Sequence, residues 1–452
     1  MSSLEVYLVT FNCARRLIEP AAFGSHFFDA LPKDAALPDI IVISLQEIAP
    51  IAYAFLGGAY VLPYFNRVIS SVNVAAEGHG GGANTYTNLL TAHVGLTAIL
   101  VFAKQEVVQR IRWIQTAGTG VGLWHMGNKG AVGVRMGYSL PDSDGEELGI
   151  TFVAAHLAPM EDAVDRRNAD WENIVRNLVF SPHRGLRKLH NGRRTPGSGA
   201  EDEDAEPLLS TDSDEDHKIP TSLYNPGSHA FLAGDLNYRT NSNGPKPESH
   251  LEYPQPAKTD SPNHFSNYLR HDQLGRERDA GRTVHGFHEA SINFPPTYKY
   301  SLKRSSGNPP AISPDTDSDD AGDAEHWNWS KHRYPSWTDR ILFLPPPASS
   351  PQLELHTYTA LPLQPTSDHR PVALSVSVPL QALDKDDQDL RSRPPFPINP
   401  RWQAQRAAAR RKEIVVGVLA YLALTREGNA VLAGVVGGLV AGWFIFRAML
   451  EW

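Results

Sequence analysis

The sequence predicts an α/β fold with buried β-sheets, followed by a membrane segment near the C-terminus. Short, mostly apolar runs recur along the chain, which is typical of strands buried in a sheet. Between these runs, the segment from about Asp162 to Phe180 has the clearest helical periodicity and predicts a helix. An uncharged run from Ala430 to Phe446 then follows a Pro-rich stretch close to the end of the chain.

Most of the predicted strands adjoin polar residues. In chain order they are Val6–Phe11 before Asn12, Ile40–Leu45 before Gln46 and Glu47, Thr151–Ala155 before His156, Ala230–Gly234 before Asp235, Ile341–Leu344 after Asp339 and Arg340, and Val372–Val376 after His369. Polar groups repeated at strand ends are what a cleft at the edge of packed sheets needs. The pattern therefore predicts one functional cleft.

Composition excludes several classes of protein. The chain has 452 residues, 41% of them hydrophobic, and a formal net charge of −8. That length suits one large α/β domain or two smaller ones. The mild acidity argues against nucleic acid as a partner, because binding by bulk charge usually needs a basic surface. The single cysteine, Cys13, excludes an intrachain disulfide and suits a reducing compartment, and Met1–Glu5 shows no secretory signal.

Three motifs carry most of the candidate catalytic residues: Gly234–Arg239, Trp337–Arg340 and Ser367–Val372. They supply carboxylates, an amide and an imidazole beside predicted strands: Asp235, Asn237, Asp339, Asp368 and His369. Mg²⁺ prefers carboxylate, carbonyl and water oxygens, and commonly binds through carboxylates plus substrate phosphate. The set therefore suits a Mg²⁺-assisted attack of water on a phosphate, with His369 as the acid/base partner.

Each candidate also has a structural alternative. Asn12 could cap a turn, and Asp235 could begin an Asx turn. Glu47 could be a surface residue, but its position directly after a mostly apolar run favours a carboxylate that faces inward. A lone histidine such as His156 is more often structural than catalytic. The Gly-flanked pair Asn128–Lys129 could cradle a phosphate, but is a weak signal by itself.

Two segments differ from the core in composition. Residues 184–225 begin basic and become acidic, and residues 305–325 are rich in Asp. We expect both to be disordered insertions, because such charged, Ser- and Pro-containing segments bury little apolar surface. The spacing of an EF-hand is absent from them, which argues against a Ca²⁺ loop.

The last part of the chain predicts a tether. We expect a Pro-rich and basic linker over residues 381–412 and a hydrophobic membrane anchor over residues 413–450. The run from Ala430 to Phe446 meets the short end of the roughly 17–25 apolar residues that span a bilayer. A buried helix of a soluble domain is the alternative, and Ile414–Leu424 could form a hairpin with the run or lie in the interface. Small residues at every fourth position suit helix–helix association in lipid: Gly434, Gly438 and Gly442.

Taken together, these motifs resemble the inositol polyphosphate 5-phosphatase family, which has the DNase-I-like fold. The matching pieces are Thr10–Asn12, Leu45–Glu47, Gly127–Val132, Ala155–Leu157, Gly234–Arg239, Phe294–Tyr300, Pro335–Ile341 and Ser367–Val372. The resemblance implies a four-layer sandwich of two mixed β-sheets flanked by helices, with a catalytic domain over residues 1–380. Within this resemblance, the piece Thr297–Tyr300 separates the 5-phosphatases from nucleases of the same superfamily.

The resemblance also implies a role for each candidate. Mg²⁺ would be bound by Glu47 with the help of Asn12 and Asp368. The catalytic set would be Asp235, Asn237, His369, Asp339 and His156. In it, Asp235 would activate the water, Asn237 would steady the phosphoryl group and Asp339 would polarise His369. His156 would contact the scissile phosphate. Substrate would be bound by Asn128, Lys129, Tyr298, Lys299, Lys331, Arg333 and Arg370, of which Tyr298, Lys299, Lys331 and Arg333 would contact a 4-phosphate.

The sequence departs from the family at Phe11, Cys13–Arg15 and Thr338, none of which removes a metal ligand or an acid/base group. We therefore expect a Mg²⁺-dependent 5-phosphatase of phosphatidylinositol 4,5-bisphosphate or the 3,4,5-trisphosphate. Its catalytic domain would face the cytosol at the endoplasmic reticulum or another cytosol-facing membrane. The alternatives are a phosphatase of soluble inositol phosphates, another phosphodiesterase of the fold such as a nuclease or sphingomyelinase, and an inactive membrane-tethered phosphoinositide-binding scaffold.

Overall fold

The computed structural model describes the chain at residues 3–33, 35–82, 84–141, 145–183, 221–301, 327–384 and 386–450. Within these ranges, two six-stranded sheets pack against each other and carry helices on their outer faces. Of the two segments expected to be disordered, residues 184–220 and 305–325 lie outside the described residues.

The strands and helices alternate irregularly along the chain. The strands are β1 (Ser3–Asn12), β2 (Ile40–Gln46), β3 (Tyr86–Val94), β4 (Thr97–Lys104), β5 (Ile111–Gly120), β6 (Gly130–Ser139), β7 (Glu147–His156), β8 (Ser181–Pro182), β9 (Ser228–Asp235), β10 (Asp339–Leu344), β11 (Glu354–Ala360) and β12 (Val372–Pro379). The helices are α1 (Pro20–Ser25), α2 (Ile51–Leu56), α3 (Leu62–Gly78), α4 (Gln105–Val108), α5 (Val164–Asn177), α6 (Ser266–Leu269), α7 (Gln273–Asp279), α8 (Trp402–Leu424) and α9 (Arg426–Leu450). Short 3₁₀ turns lie at Gly58–Tyr60, Leu123–His125 and Ser249–Glu252.

Both sheets are mixed. The first has the order β11-β12-β1-β2-β4-β3, and the second has the order β10-β9-β7-β6-β5-β8. Each sheet has a parallel pair near its centre, β1 with β2 and β7 with β9, and its other pairs are antiparallel. Parallel strands end at the same edge of a sheet, so these pairs determine where polar strand ends meet.

The alternation of side chains explains why the strands are apolar almost throughout. Val6 and Leu8 of β1 belong to the core between the sheets. The intervening Tyr7 and Val9 belong to a second core beneath α1, α2 and α3. Successive residues of a strand point to opposite faces, and here both faces are covered. A third core lies between the second sheet and α5 and α7, which makes four layers in all.

This architecture confirms the four-layer sandwich of two mixed sheets flanked by helices. The helix expected between Asp162 and Phe180 is α5, which spans Val164–Asn177 and buries Trp171 and Ile174. Its buried face packs on the second sheet, because both residues belong to the third core.

The C-terminal part is organised differently from the expected linker and anchor. Helix α8 runs continuously through the expected boundary between residues 412 and 413, so that boundary is not structural. Upstream, the buried Arg391 donates hydrogen bonds to the carbonyl oxygens of Leu344 at 2.8 Å and Ser228 at 3.2 Å. Part of the expected linker is therefore packed on the second sheet. In the described residues, α9 alone is long and apolar enough to cross a membrane by length and composition.

Arg340, the last residue of the Trp337–Arg340 motif, holds the second sheet to the segment around α7. Its guanidinium lies 3.0 Å from a carboxylate oxygen of Asp272 and 2.5 Å from one of Glu289, and all three side chains are buried. Asp272 also caps α7 by accepting a hydrogen bond from the backbone of Gly275 at 2.8 Å. Arg340 is thus a structural residue of the motif.

We expect Arg340→Ala to lower the free energy of unfolding by about 3–5 kcal/mol, because it leaves two buried carboxylates without their cation. Urea unfolding of the detergent-solubilised full chain measures the change. Arg278→Ala is the matched control, since Asp279 is exposed and Arg278 only half-buried, and such a pair should contribute less than about 1 kcal/mol. Equal effects of the two substitutions would contradict the role given to Arg340.

Candidate active site

The polar strand ends of both sheets meet in one place. In the first sheet Asn12 pairs in register with Gln46, which directly precedes Glu47. In the second sheet His156 pairs with Asp235, and Asp235 pairs with Asp339. The two parallel pairs thus bring these residues to facing edges, as expected for a cleft between packed sheets.

Asp235 joins the two sheets. Its Oδ2 accepts a hydrogen bond from the Asn12 side chain at 2.9 Å and lies 3.4 Å from Nε2 of His156. Its Oδ1 accepts from the backbone N–H of Asn237 at 3.1 Å. Burial opposes ionisation, but the interactions with His156, His369 and Lys129 outweigh it and hold the pKa of Asp235 far below its usual range. Asp235 is therefore a buried anion.

Two residues near Asp235 have a positive φ, which is uncommon for residues other than glycine. Glu47 has a φ of 49° and Asn237 has a φ of 58°, both in the left-handed region. Asn adopts this region readily, but Glu seldom does, and such strain is often retained at functional sites. The Asn237 side chain is also fixed, since it donates to the carbonyl of Leu157 at 3.0 Å. Both side chains are therefore held in a defined direction.

Glu47 lies among positive charges at the end of β2. Its carboxylate is 3.0 Å from Nε of Arg15 and 3.9 Å from Nζ of Lys129. Burial raises the pKa of Glu47, but His156, Lys129 and Arg15 lower it by more, so the net shift is downward. Burial in turn lowers the pKa of both Lys129 and His156, whose nitrogens lie in close contact. Glu47 is thus a charged carboxylate that is partly open to the cleft.

His369 and Asp339 form a buried pair opposite this group. Nδ1 of His369 lies 2.9 Å from Oδ2 of Asp339, which also accepts hydrogen bonds from the hydroxyls of Thr297 at 2.7 Å and Thr338 at 2.9 Å. Burial disfavours the imidazolium, but Asp339 outweighs burial and raises the pKa of His369 to about 9. Ligand atoms of Asp235, Asp339 and His369 lie within 4.8 Å of one another. The pair therefore faces the Asp235 anion directly.

Asp368 pairs with Lys299, a lysine on the same side of the site as His369. Its carboxylate is in close contact with Nζ of Lys299, and its backbone carbonyl accepts from Tyr300 at 3.0 Å. Burial raises the pKa of Asp368, but His369 and Lys299 shift it downward overall. The Tyr298 ring lies 4.6 Å from the His369 ring, centroid to centroid. The motif Phe294–Tyr300 thus lines the His369 side of the site.

The predicted substrate-binding residues divide into an inner and an outer group. Lys129 lies near the carboxylate of Glu47, and Lys299 contacts that of Asp368. Asn128 is half-buried, and its buried Oδ1 lacks a hydrogen-bond partner among the described residues. Lys331 is exposed, and Arg333 lies outward, 3.8 Å from a carboxylate oxygen of Glu161. The Arg370 guanidinium lies 5.2 Å from the centre of the Tyr300 ring.

Some residues of the site were not found by sequence reasoning. Arg239 is buried, donates to Oδ1 of Asn237 at 2.5 Å and lies 4.5 Å from the Tyr298 ring centre. It is the last residue of the Gly234–Arg239 motif, so the motif contained it, but no role was predicted for it. Thr338 departs from the family's usual Cys, yet its hydroxyl contacts Asp339. Thr297 lies within the Phe294–Tyr300 motif, and its hydroxyl also donates to Asp339.

The donor set fits a hard divalent cation. Carboxylates of Glu47, Asp235, Asp339 and Asp368 and the amide of Asn12 lie around the site, and Mg²⁺ and Ca²⁺ favour such oxygen donors. Oδ1 of the buried Asp339 has no hydrogen-bond partner among the described residues. Lone buried carboxylate oxygens are uncommon, so a cation or a ligand is a natural partner for this one.

Comparison with known proteins agrees with the geometry. Residues 9–375 match the Endonuclease/Exonuclease/phosphatase family 2. The chain belongs to this family, and the resemblance to inositol polyphosphate 5-phosphatases is confirmed.

Individual relatives are similar over most of this chain. The inositol-1,4,5-trisphosphate 5-phosphatase 1 of Schizosaccharomyces pombe is 26% identical over 79% of the chain. The polyphosphatidylinositol phosphatase INP53 of Saccharomyces cerevisiae is 25% identical over 78%. The chain spans only 26% and 25% of the lengths of these relatives, respectively.

A solved structure has the same fold. It is the crystal structure of the inositol polyphosphate 5-phosphatase domain of SPsynaptojanin in complex with inositol (1,4)-bisphosphate and calcium ion. The two share a TM-score of 0.56 and 23% identity, over 91% of this chain and 90% of that one.

The charge state of His369 can be tested by titration. We expect NMR of the metal-free protein in EDTA to give this imidazole a pKa of about 9, against an ordinary value of 6.5. Because the folded pKa is raised, its stabilising contribution is complete below pH 6.5 and is lost as the pH rises through 9. Asp339→Asn should lower this pKa by about 1–3 pH units. An unchanged pKa in that variant would rule out the pair as its cause.

Proposed function

We propose that this protein is a Mg²⁺-dependent phosphatase that removes the 5-phosphate from phosphatidylinositol 4,5-bisphosphate. The observation that carries the proposal is that an anionic side chain and a cationic side chain lie close together in one buried site. Asp235 is an anion, and His369 is a cation held by Asp339, with their ligand atoms within 4.8 Å. This arrangement suits a water on one side of a phosphorus atom and a departing oxygen on the other.

Asp235 acts on the water. With its pKa far below the usual range, the carboxylate is ionised whenever substrate binds and accepts a hydrogen bond from the water. The new P–O bond forms to this water, which Asp235 orients and polarises, and the water's proton passes to an oxygen of the phosphate that forms. Asn237, fixed by Arg239 and by the Leu157 carbonyl, is positioned to donate to a phosphoryl oxygen.

His369 acts on the leaving group. At neutral pH the imidazolium carries a proton because its pKa is raised to about 9. It stabilises the charge that develops on the 5-oxygen as the old P–O bond breaks, and it supplies the proton that this oxygen needs. Asp339 keeps the imidazole oriented through Nδ1, which leaves Nε2 for the substrate.

The same site would hold the metal. Glu47, with Asn12 and Asp368, would bind Mg²⁺, which when bound polarises the phosphoryl group and offsets its charge. Lys129 and Lys299 add fixed positive charge beside these carboxylates. These lysines, like the metal, would neutralise part of the negative charge of the substrate phosphates.

Substrate class is inferred from the relatives and from the chain's own cations. One relative is named for inositol 1,4,5-trisphosphate and another for polyphosphatidylinositol. By the resemblance, Lys299, Lys331 and Arg333, with Tyr298, would bind a 4-phosphate through strong charge-assisted contacts. The apolar helix α9 favours the lipid over the soluble substrate.

Activity of the full chain in detergent micelles tests the proposal. We expect phosphate release from short-chain phosphatidylinositol 4,5-bisphosphate with Mg²⁺, none with EDTA, and the 4-phosphate lipid as product. His369→Ala should reduce kcat by about 10²–10⁴-fold, the usual contribution of an acid/base group. Lys331→Ala is the comparison variant, which should raise KM for the 4,5-bisphosphate but not for a 5-monophosphate.

The other outcomes of this assay identify the rivals. Faster release from soluble inositol 1,4,5-trisphosphate would favour the soluble substrate. Cleavage of nucleic acid or sphingomyelin would indicate another phosphodiesterase of the fold. A folded protein that binds phosphoinositide vesicles but releases no phosphate would be the inactive scaffold.

We also propose that α9 (Arg426–Leu450) is the membrane anchor, at the endoplasmic reticulum or another cytosol-facing membrane. Mean hydropathy reaches 1.9 within this helix, and none of that window is buried. Gly434, Gly438 and Gly442 lie on its open surface, where they would allow a second helix to approach closely.

A chain that ends at Leu424 tests the anchor while it keeps α8 intact. We expect the full chain to float with vesicles of neutral lipid and the shortened chain to stay in solution, because the lost segment supplies the apolar surface. A full chain that remains soluble without detergent would show that α9 is not an anchor.

A further inference from the structure

Helix α8 docks on the catalytic domain through one narrow stripe. Ala409, Glu413 and Gly417 are its buried residues, at successive i, i+4 positions on one face. A Cβ on Gly417 would lie 3.1 Å from Cβ of Phe55, so the helix backbone lies close against α2. Arg410 donates to the carbonyl of Phe55 at 2.6 Å and fixes the register of this contact.

The middle residue of the stripe is a carboxylate with no solvent exposure. One oxygen of Glu413 accepts hydrogen bonds from the backbone N–H of Gly127 at 2.8 Å and from Arg406 at 2.9 Å. Its other oxygen lies 3.7 Å from Arg410. Burying a carboxylate is unfavourable unless it is paired, and an apolar residue would dock a helix without that penalty. What Glu413 adds is a directed bond to one peptide group.

That peptide group belongs to the Gly127–Gly130 loop. The carbonyl of Gly127 accepts a hydrogen bond from the backbone N–H of Leu96 at 2.9 Å, just before β4. Glu413 and Leu96 therefore bind Gly127 through its N–H and its carbonyl, respectively. Asn128 and Lys129 follow directly, and Lys129 reaches Glu47 and His156 in the active site. A path of three consecutive residues thus connects α8 with the substrate-binding lysine.

Resting on the proposed function, we propose that Glu413 is a positioning residue for phosphate hydrolysis. Its hydrogen bond to Gly127 holds the Gly127–Gly130 loop in the conformation that places Lys129 beside Glu47. The C-terminal helix is therefore part of the active site's framework as well as the link to α9. Glu413 acts only through the loop.

The proposal predicts a double-mutant cycle in the full chain. Glu413→Ala should lower kcat/KM for short-chain phosphatidylinositol 4,5-bisphosphate by about tenfold, since small misplacements of positioned groups have large kinetic effects. In a Lys129→Ala background the same change should cost less than about twofold, because residues that act as a unit are not additive. An equal loss in both backgrounds, or no loss in either, would overturn the proposal.

Matched variants separate positioning from folding. Glu413→Gln keeps an acceptor for the Gly127 N–H and should stay closer to the native kcat/KM than Glu413→Ala. Glu427→Ala removes an exposed carboxylate from the adjoining helix and should leave kcat/KM unchanged. Gly417→Leu retains Glu413 but forces α8 from Phe55, so it should reproduce Glu413→Ala. A Gln variant as impaired as the Ala variant would contradict the role of the hydrogen bond.

Hydrogen exchange tests the contact independently of any substrate. Amides of peptides that cover residues 121–130 should exchange faster in Glu413→Ala than in the native chain, while peptides from α5 stay unchanged. If the native chain releases no phosphate but this difference appears, the proposed function fails and the loop contact stands. Identical exchange in both proteins would overturn the contact itself.

Discussion

The hydrogen bond from Asn12 to Asp235 joins the two sheets at the edge where their central parallel strands end. The site depends on this alignment, because each sheet contributes only part of the chemistry. Glu47 follows β2 of the first sheet, whereas His156, Asp235 and Asp339 lie on β7, β9 and β10 of the second. A relative shift of the two sheets would separate these groups, and a one-residue slip of strand register within either sheet would turn its side chains away from the cleft.

Charge balance is the second constraint on the site. Carboxylates at Glu47, Asp235, Asp339 and Asp368 are each held by a neighbouring cation or imidazole. Burying like charges together would raise their pKa values and neutralise them. The interleaved cations instead keep Glu47, Asp235 and Asp368 ionised. Burial and the charge of Asp235 raise the pKa of Asp339, while Asp339 in turn raises that of its partner His369. The surroundings thus keep the carboxylate of Asp235 ionised and the imidazole of His369 protonated within one site.

Sequence reasoning predicted the strand ends well, because a buried strand followed by a polar residue is a local pattern. Asp235, His156 and Glu47 were found in this way. Arg239 and Thr297 were not found, since the contacts of Arg239 with the Tyr298 ring and of Thr297 with Asp339 join residues distant in the chain. The docking of α8 was missed for a different reason. Its buried stripe is Ala409, Glu413 and Gly417, which produces no hydrophobic periodicity.

The junction between α8 and α9 bears on how the enzyme would search for its substrate. A single residue, Thr425, separates the docked helix from the apolar one. Enzymes on long flexible tethers sample a volume that is set by linker length. A cleft held by a short junction has almost no such reach, so with α9 in a bilayer it would meet only lipids that diffuse laterally to it. Turnover would then follow the two-dimensional density of substrate in that one membrane, and lipids of an apposed membrane would stay out of range.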